Sequence, residues 1–307
     1  MNSQRIRLAV GSLLIAANLS SLWAGSINLP NASFESPVTA FVTINFDAWQ
    51  KTDKPEGYDE SGGFLWTQLV GAFKNTALGS ADHIHNCDGG QAIWLFAVPQ
   101  TGLFQDYDSK AWNDSLPSHS FNAIFEAGKS YQLTVGVIGG GGGMLEGATM
   151  EIALYYRDAA SNMVTVAATS VTNSLLLFPT TTNFVDIQAR VPTVKPSDPW
   201  SGRHLGVRMF STVSAEVQGG YWDLDNVRLS SICDLQLHSP MVTNGQFNLL
   251  LQSEPGTRFE LLHSANLSMP MSNWSRLGTV TNSSGSVIFT DPLTNTNRRF
   301  YGARQLP

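Results

Sequence analysis

Residues 131–137 read Tyr131-Gln132-Leu133-Thr134-Val135-Gly136-Val137, apolar and polar in strict alternation. A period of two sends every second side chain to one face, so this segment predicts a strand with one face buried. The same period recurs outward in both directions. Met150, Ile152, Leu154 and Tyr156 alternate with Glu151, Ala153 and Tyr155, and Val185, Ile187, Ala189 and Val191 alternate with Asp186, Gln188 and Arg190. Ile93, Leu95 and Ala97 interleave with Trp94, Phe96 and Val98. That run is apolar on both phases, which predicts a central strand covered on both faces. Pro99, Pro179, Pro192 and Pro196 punctuate the series. Almost no helical period is sustained, and the fold class follows: all-β, as in antiparallel sandwiches and barrels.

In Tyr221–Leu229, Trp222 and Leu224 share one phase while Val227 and Leu229 share the other. A phase switch inside one strand predicts a bulge at Asp225-Asn226. The alternation stops around 230–240. A shorter series then follows through Phe247, Leu249 and Leu251, Phe259 and Leu261, Val287 and Phe289, and 299–305. The expected domains are therefore 27–232 and a small β module, 233–307.

Composition agrees. Charged residues are 14% of the 307, and only six are Lys. Long solvated helices need more Glu and Lys than this. A net charge of −6 provides no basic stripe to neutralise phosphates, which excludes nucleic acid as a partner. The first 26 residues have a leader layout: Arg5 and Arg7, an uncharged apolar run from Leu8 to Trp23, then Ala24-Gly25-Ser26 before Ile27. Cleavage there takes the net charge to −8 and predicts a secreted protein, at the cell surface, in a periplasm or outside the cell. No later stretch is long and apolar enough to span a bilayer. Cys87 and Cys233 are the only cysteines, and export permits a disulfide between them, with two free thiols as the alternative.

Several segments resemble the secreted carbohydrate-binding modules of families 4 and 9 and their galactose-binding-like jelly-roll relatives. They are Asn31-Ala32-Ser33-Phe34-Glu35, Gly89-Gly90-Gln91-Ala92-Ile93 with Leu103-Phe104-Gln105, Glu126 to Val135, and Tyr221 to Leu229. The resemblance implies a structural Ca²⁺ at Asp225, with Glu35 as a weaker contributor. The tail, through Phe259, Leu261, Trp274 and Arg299-Phe300-Tyr301, resembles a fibronectin-III-like or immunoglobulin-like module of accessory role.

Candidate sites follow from residue chemistry. Trp66, Tyr107 and Trp112 lie in predicted loops beside Gln105 and Asp108. Flat aromatics beside hydrogen-bonding groups suit a sugar subsite, and a polysaccharide or cell-surface glycan is the expected partner. Packing in the core is the competing reading for each ring. Asp223 and Asp225 stand two apart on one strand, a spacing that also suits paired carboxylates of a hydrolase. His83, His85 and Cys87 have metal-ligand residue types at alternate positions, in a turn-rich segment. Gly139–Gly143 lacks the Lys-Ser/Thr and helix of a phosphate loop and reads as a turn. No nucleophile elbow or zincin motif occurs. The expectation is a non-catalytic glycan-binding protein. An adhesive protein without sugar affinity and a hydrolase using Asp residues of 41–114 stand as alternatives.

Overall fold

A computed structural model describes residues 24–109, 121–233, 236–253, 257–292 and 299–306. The chain forms two compact units, one of Ala24–Ile232 and one beginning at Cys233.

The first unit is a sandwich of two antiparallel sheets. One sheet holds β1 (Ala24–Ile27), β2 (Val42–Thr43), β4 (Val70–Lys74), β5 (Gln91–Phe96), β7 (Lys129–Gly141), β10 (Val185–Val191) and β12 (Tyr221–Cys233). Its order is β10-β7-β12-β5-β4-β2, with β1 added against β12. The other holds β3 (Gln50–Lys51), β6 (Gly102–Gln105), β8 (Thr149–Arg157), β9 (Met163–Thr172) and β11 (Gly206–Ser211), in the order β3-β6-β11-β8-β9.

The alternating phases set the core. Leu133, Val135 and Val137 of β7, Ile93 and Leu95 of β5, and Trp222 and Leu224 of β12 join Met150, Ile152 and Leu154 of β8 and Val207 and Met209 of β11 in one buried cluster. Each aliphatic side chain buried this way contributes roughly 1.5–3 kcal/mol. β5 lies between β12 and β4, as its two apolar phases require.

The bulge is where the phase switch places it. Asn226 adopts a left-handed backbone, φ 51°. Before it, β12 pairs with β5, Tyr221 opposite Phe96 and Asp223 opposite Trp94. Beyond it, β12 pairs with β1, Ile27 opposite Leu229 and Ala24 opposite Ile232. Ala24, Gly25 and Ser26 are thus strand residues of the sandwich, although the leader reading assigned them to a removed segment. Residues 1–23 lie outside the described ones.

The second unit contains two three-stranded sheets. One is β13 (Gln236–Thr243), β14 (Gln246–Gln252) and β17 (Ser286–Pro292); the other is β15 (Arg258–Ser264), β16 (Ser275–Thr281) and β18 (Phe300–Leu306). Leu251, Phe259, Leu261 and Ala303 form its core. Tyr301 stacks on Phe247, with ring centroids 4.4 Å apart, and donates to Asp291 at 2.8 Å. Among the described residues no helix is long and apolar enough to cross a membrane.

Candidate functional site

The face of the seven-stranded sheet turned away from the core is not a solvated face. Alternation places Phe73 and Gly71 of β4, Ala92, Trp94 and Phe96 of β5, Tyr221, Asp223 and Asp225 of β12, and Gly136 and Ile138 of β7 on it. Part of it is covered by chain from elsewhere. Ile84 and Cys87 pack on Ala92, Ile138, Phe184 and Phe73. Two asparagines fasten this cover with paired bonds. Asn75 Nδ2 donates to Ile84 O and its Oδ1 accepts from Ile84 N, at 2.9 and 3.0 Å. Asn86 does the same with Phe184, at 3.0 and 2.8 Å.

Asp225 and Glu35 hold the turn at 88–91 beneath that cover. Asp225 is fully buried; its Oδ2 accepts from Asp88 N at 2.7 Å and its Oδ1 from Asn226 N at 2.6 Å. Glu35 Oε1 accepts from Gly90 N at 2.9 Å and Gln91 N at 2.8 Å. A Cβ on Gly89 would lie 2.5 Å from Glu35 Oε1, and its φ of +93° also excludes a side chain. Burial pushes the Asp225 carboxyl up to about 7, against the pull of its two amide donors. The two carboxylates that the resemblance assigns to calcium thus each accept two backbone amides. Among the described residues no group of three or more His, Cys, Asp or Glu gathers. His83 and His85 do come together, rings 5.3 Å apart, but the Cys87 thiol points inward and donates to Gln91 O at 3.1 Å.

Beyond the cover lie Trp94, Phe96, Tyr221 and Asp223. Asp223 is 9% exposed, and its Oδ1 is buried without a hydrogen-bond partner. No hydrogen bond to either of its oxygens occurs among the described residues. Burial alone pushes its carboxyl up to about 7. An unpaired carboxyl in an apolar setting retains its proton, because nothing offsets the lost hydration of the charged form. Trp94, directly across the ladder, anchors its indole by donating to Gln68 O at 3.0 Å. Its ring crosses Gly71, where a Cβ would come within 2.3 Å of it. The Phe96 and Tyr221 rings sit one row along, centroids 5.8 Å apart. The arrangement is a buried carboxyl, raised to about 7, among three aromatic rings. Gly71→Ala is expected to displace Trp94 and cost about 1–3 kcal/mol in a chemical melt; an unchanged midpoint and unchanged tryptophan emission would contradict that contact.

Among the described residues, Trp66 and Gln105 of the expected sugar subsite are turned into the fold, while Tyr107 and Asp108 are exposed. Trp66 is buried, its Nε1 donating to Thr52 O and its backbone N to Glu60, both at 2.8 Å. Gln105 is fully buried and donates to Pro30 O at 2.9 Å. Tyr107 is exposed and packs on His204, centroids 4.6 Å apart. Asp108 is exposed, its amide donating to Asp106. Trp112 lies outside the described residues. Long-range hydrogen bonds pulled Trp66 and Gln105 inward, which loop composition does not reveal. Conversely, Trp94 is not among the candidates; its phase opposite Ile93 and Leu95, shared across the ladder with Asp223, is the signal that locates the site.

The Cys87–Cys233 bridge is also corrected. Cys87 is a free thiol, raised well above its ordinary pKa by burial and then by the nearby Asp225 charge. Cys233 ends β12, eight residues beyond Asp225, and its side chain lies outside the description. Iodoacetamide at pH 8 should label native Cys87 far more slowly than the unfolded chain; equal rates would contradict this environment.

The sequence profile of the HpiC1-like family, described as HpiC1 cyclase, matches residues 25–230, more than half of the chain. No curated protein matches. The first unit is similar to the crystal structure of a cyclase from Fischerella sp. TAU, at 23% identity and TM-score 0.48, covering 69% of this chain and 100% of that one. It is similar to the Stig cyclase Fisc from Fischerella sp. TAU, solved with (3Z)-3-(1-methyl-2-pyrrolidinylidene)-3H-indole, at 23% identity and TM-score 0.47, covering 68% and 98%. A xylan-binding CBM22-1 domain from Paenibacillus barcinonensis Xyn10C is similar at 14% identity and TM-score 0.35, covering 70% and 99%. The family match overturns two expectations, that the protein is a glycan-binding module and that it is not an enzyme. The motifs resembling families 4 and 9 reflect the sandwich and not the family, and the family match ends before the tail, so it does not bear on the fibronectin-III-like resemblance there. With Asp223 and its three rings inside the matched residues, the chain belongs to the HpiC1-like cyclase family.

Proposed function

We propose that the protein is a cyclase that closes a ring in a small unsaturated aromatic substrate, with Asp223 as the acid. The observation that carries this reading is the buried Asp223 carboxyl, without a protein partner and held protonated near neutral pH. A general acid works best when its pKa lies near the working pH. Asp223 transfers its proton to a substrate π bond, leaving a cation on the neighbouring carbon. A second π bond attacks that carbon, forming the new ring bond, and loss of a proton to the Asp223 carboxylate restores both partners. No oxidant, reductant or leaving group is needed. The faces of Trp94, Phe96 and Tyr221 suit the passing positive charge, since aromatic rings attract cations by roughly 0.5–2 kcal/mol each.

The substrate class draws on the family, and on the indole ligands named for its Fischerella relatives, one of which was solved with 4-(1H-indol-3-yl)butan-2-one. The test is an assay in D₂O with indoles bearing an unsaturated side chain. The wild type should release cyclised product carrying solvent deuterium, and Asp223→Asn should release it about 10²–10⁴-fold more slowly. Cyclisation by Asp223→Asn at the wild-type rate would overturn the assignment.

A further inference from the structure

We infer that Gly141-Gly142 is the seat of Tyr221, and that the seated ring is the specificity wall of the site, setting how wide an aromatic ligand can reach Asp223. The inference rests on the reading of Asp223 as the reacting acid.

The glycine run ends β7 and continues into the following turn. A Cβ on Gly141 would lie 2.5 Å from Tyr221 Cε2 and 2.6 Å from Cδ2. A Cβ on Gly142 would lie 2.8 Å from Cε1 and 2.9 Å from Cδ1. Both edges of the ring therefore rest on bare backbone, and the ring lies across two consecutive glycines. Gly220, just before Tyr221, is equally confined: a Cβ there would meet Gly141 O and Met144 N at 2.5 Å. Phe96 flanks the ring from β5.

Two polar groups on this face lack protein partners. The Tyr221 hydroxyl makes no hydrogen bond among the described residues, and neither does Asp223, two residues on. The Tyr221 phenol feels Asp223, whose charge adds to burial in raising it. A buried polar atom is normally satisfied, so the unpartnered Asp223 Oδ1 points to a bound ligand as its partner. A side chain at Gly141 or Gly142 would displace the ring from its seat. Loss of the ring would free the volume of an aromatic side chain beside Phe96, two residues before Asp223.

The test uses two planar phenols of different width, 2-naphthol and 1-pyrenol, titrated by fluorescence into the full chain. The wild type should bind 2-naphthol more tightly. Tyr221→Ala and Tyr221→Leu should shift the ratio of dissociation constants toward 1-pyrenol by at least about tenfold. Gly142→Ala should weaken 1-pyrenol further. Gly143→Ala is its matched control, with a left-handed φ of +75° and nothing within 4 Å of the added Cβ. Tyr221→Phe should keep the wild-type ratio. The inference is overturned by an unchanged ratio in the folded Tyr221 variants, by equal behaviour of Gly142→Ala and Gly143→Ala, or by a wild type that binds neither phenol. Asp223→Asn separates the two claims. If it is inactive while the Tyr221 variants keep the ratio, only the wall falls; if it stays active, the acid reading falls.

Discussion

Asp223→Asn is expected to lose about 10²–10⁴-fold in turnover while gaining stability above neutral pH. The loss is the usual worth of a positioned general acid. The wild-type rate should decline as pH rises through about 7, since the protonated carboxyl is the working form. The gain in stability follows from linkage. The Asp223 carboxyl sits at about 7 in the folded state, against 3.8 as its ordinary value, so folding favours the protonated form. Its contribution is fully present below about pH 4 and is lost as pH rises through 7. At pH 8 the folded protein bears a buried, unpaired negative charge, and Asn removes it. The difference is on the order of 1–4 kcal/mol, from about 1.4 kcal/mol per pH unit of displacement. Asp225, raised for the same first reason, adds a slope of the same sign, but its amide donors oppose it. Urea melts at pH 4 and pH 8 check this: near-parity of wild type and Asp223→Asn at pH 4, and a more stable variant at pH 8. A variant that is destabilised at both, or fully active, would contradict the site.

Asp106→Ala is expected to cost about 3–5 kcal/mol without altering turnover per folded molecule, because it strands a buried charge network far from Asp223 in function. Asp106 is 1% exposed. Its Oδ2 accepts from the Tyr155 hydroxyl at 2.6 Å and from Arg157 Nε at 2.7 Å, and its Oδ1 accepts from Asp108 N at 2.9 Å. Tyr155 is fully buried and lies over Gly206, where a Cβ would come within 2.4 Å of its ring. Arg157 sits 5.5 Å from the Phe104 ring centroid and also donates to Ser161 O at 3.0 Å. Removing the carboxylate leaves a phenol without an acceptor and a guanidinium without its counter-charge. Asp106→Asn keeps one acceptor and should cost less. For a unit of this size the alanine variant should melt about 6–20 °C lower. A cost below about 1 kcal/mol, or a selective loss of turnover, would contradict a purely structural latch.

Strand phase was legible from the residues. Tyr131–Val137, Met150–Leu154 and Val185–Val191 bury the side chains their alternation selects, and Asn226 bulges where the phase of β12 reverses. Phase also said that Asp223 and Asp225 share a face. It did not say that this face is covered, because the cover comes from 75–91 and 182–184, brought there by the side chains of Asn75 and Asn86. Burial is what turns an ordinary carboxylate into an acid that holds its proton near pH 7. The glycine run showed where side chains are missing, not which ring fills the room. Trp66 looked like a loop aromatic until Thr52 and Glu60 drew it inward. The motif resemblances followed strands that many sandwiches share, so they reached the architecture and missed the chemistry, which lives in a site on the fold.

The most direct test of the account is the titration of the Asp223 carboxyl itself, by ¹³C NMR of aspartate-labelled protein with Asp223→Asn to assign the resonance. The account predicts a midpoint near 7. A midpoint in the ordinary aspartate range, near 4, would mean that Asp223 is ionised and solvated at neutral pH and would remove the acid from the centre of the proposed cyclisation.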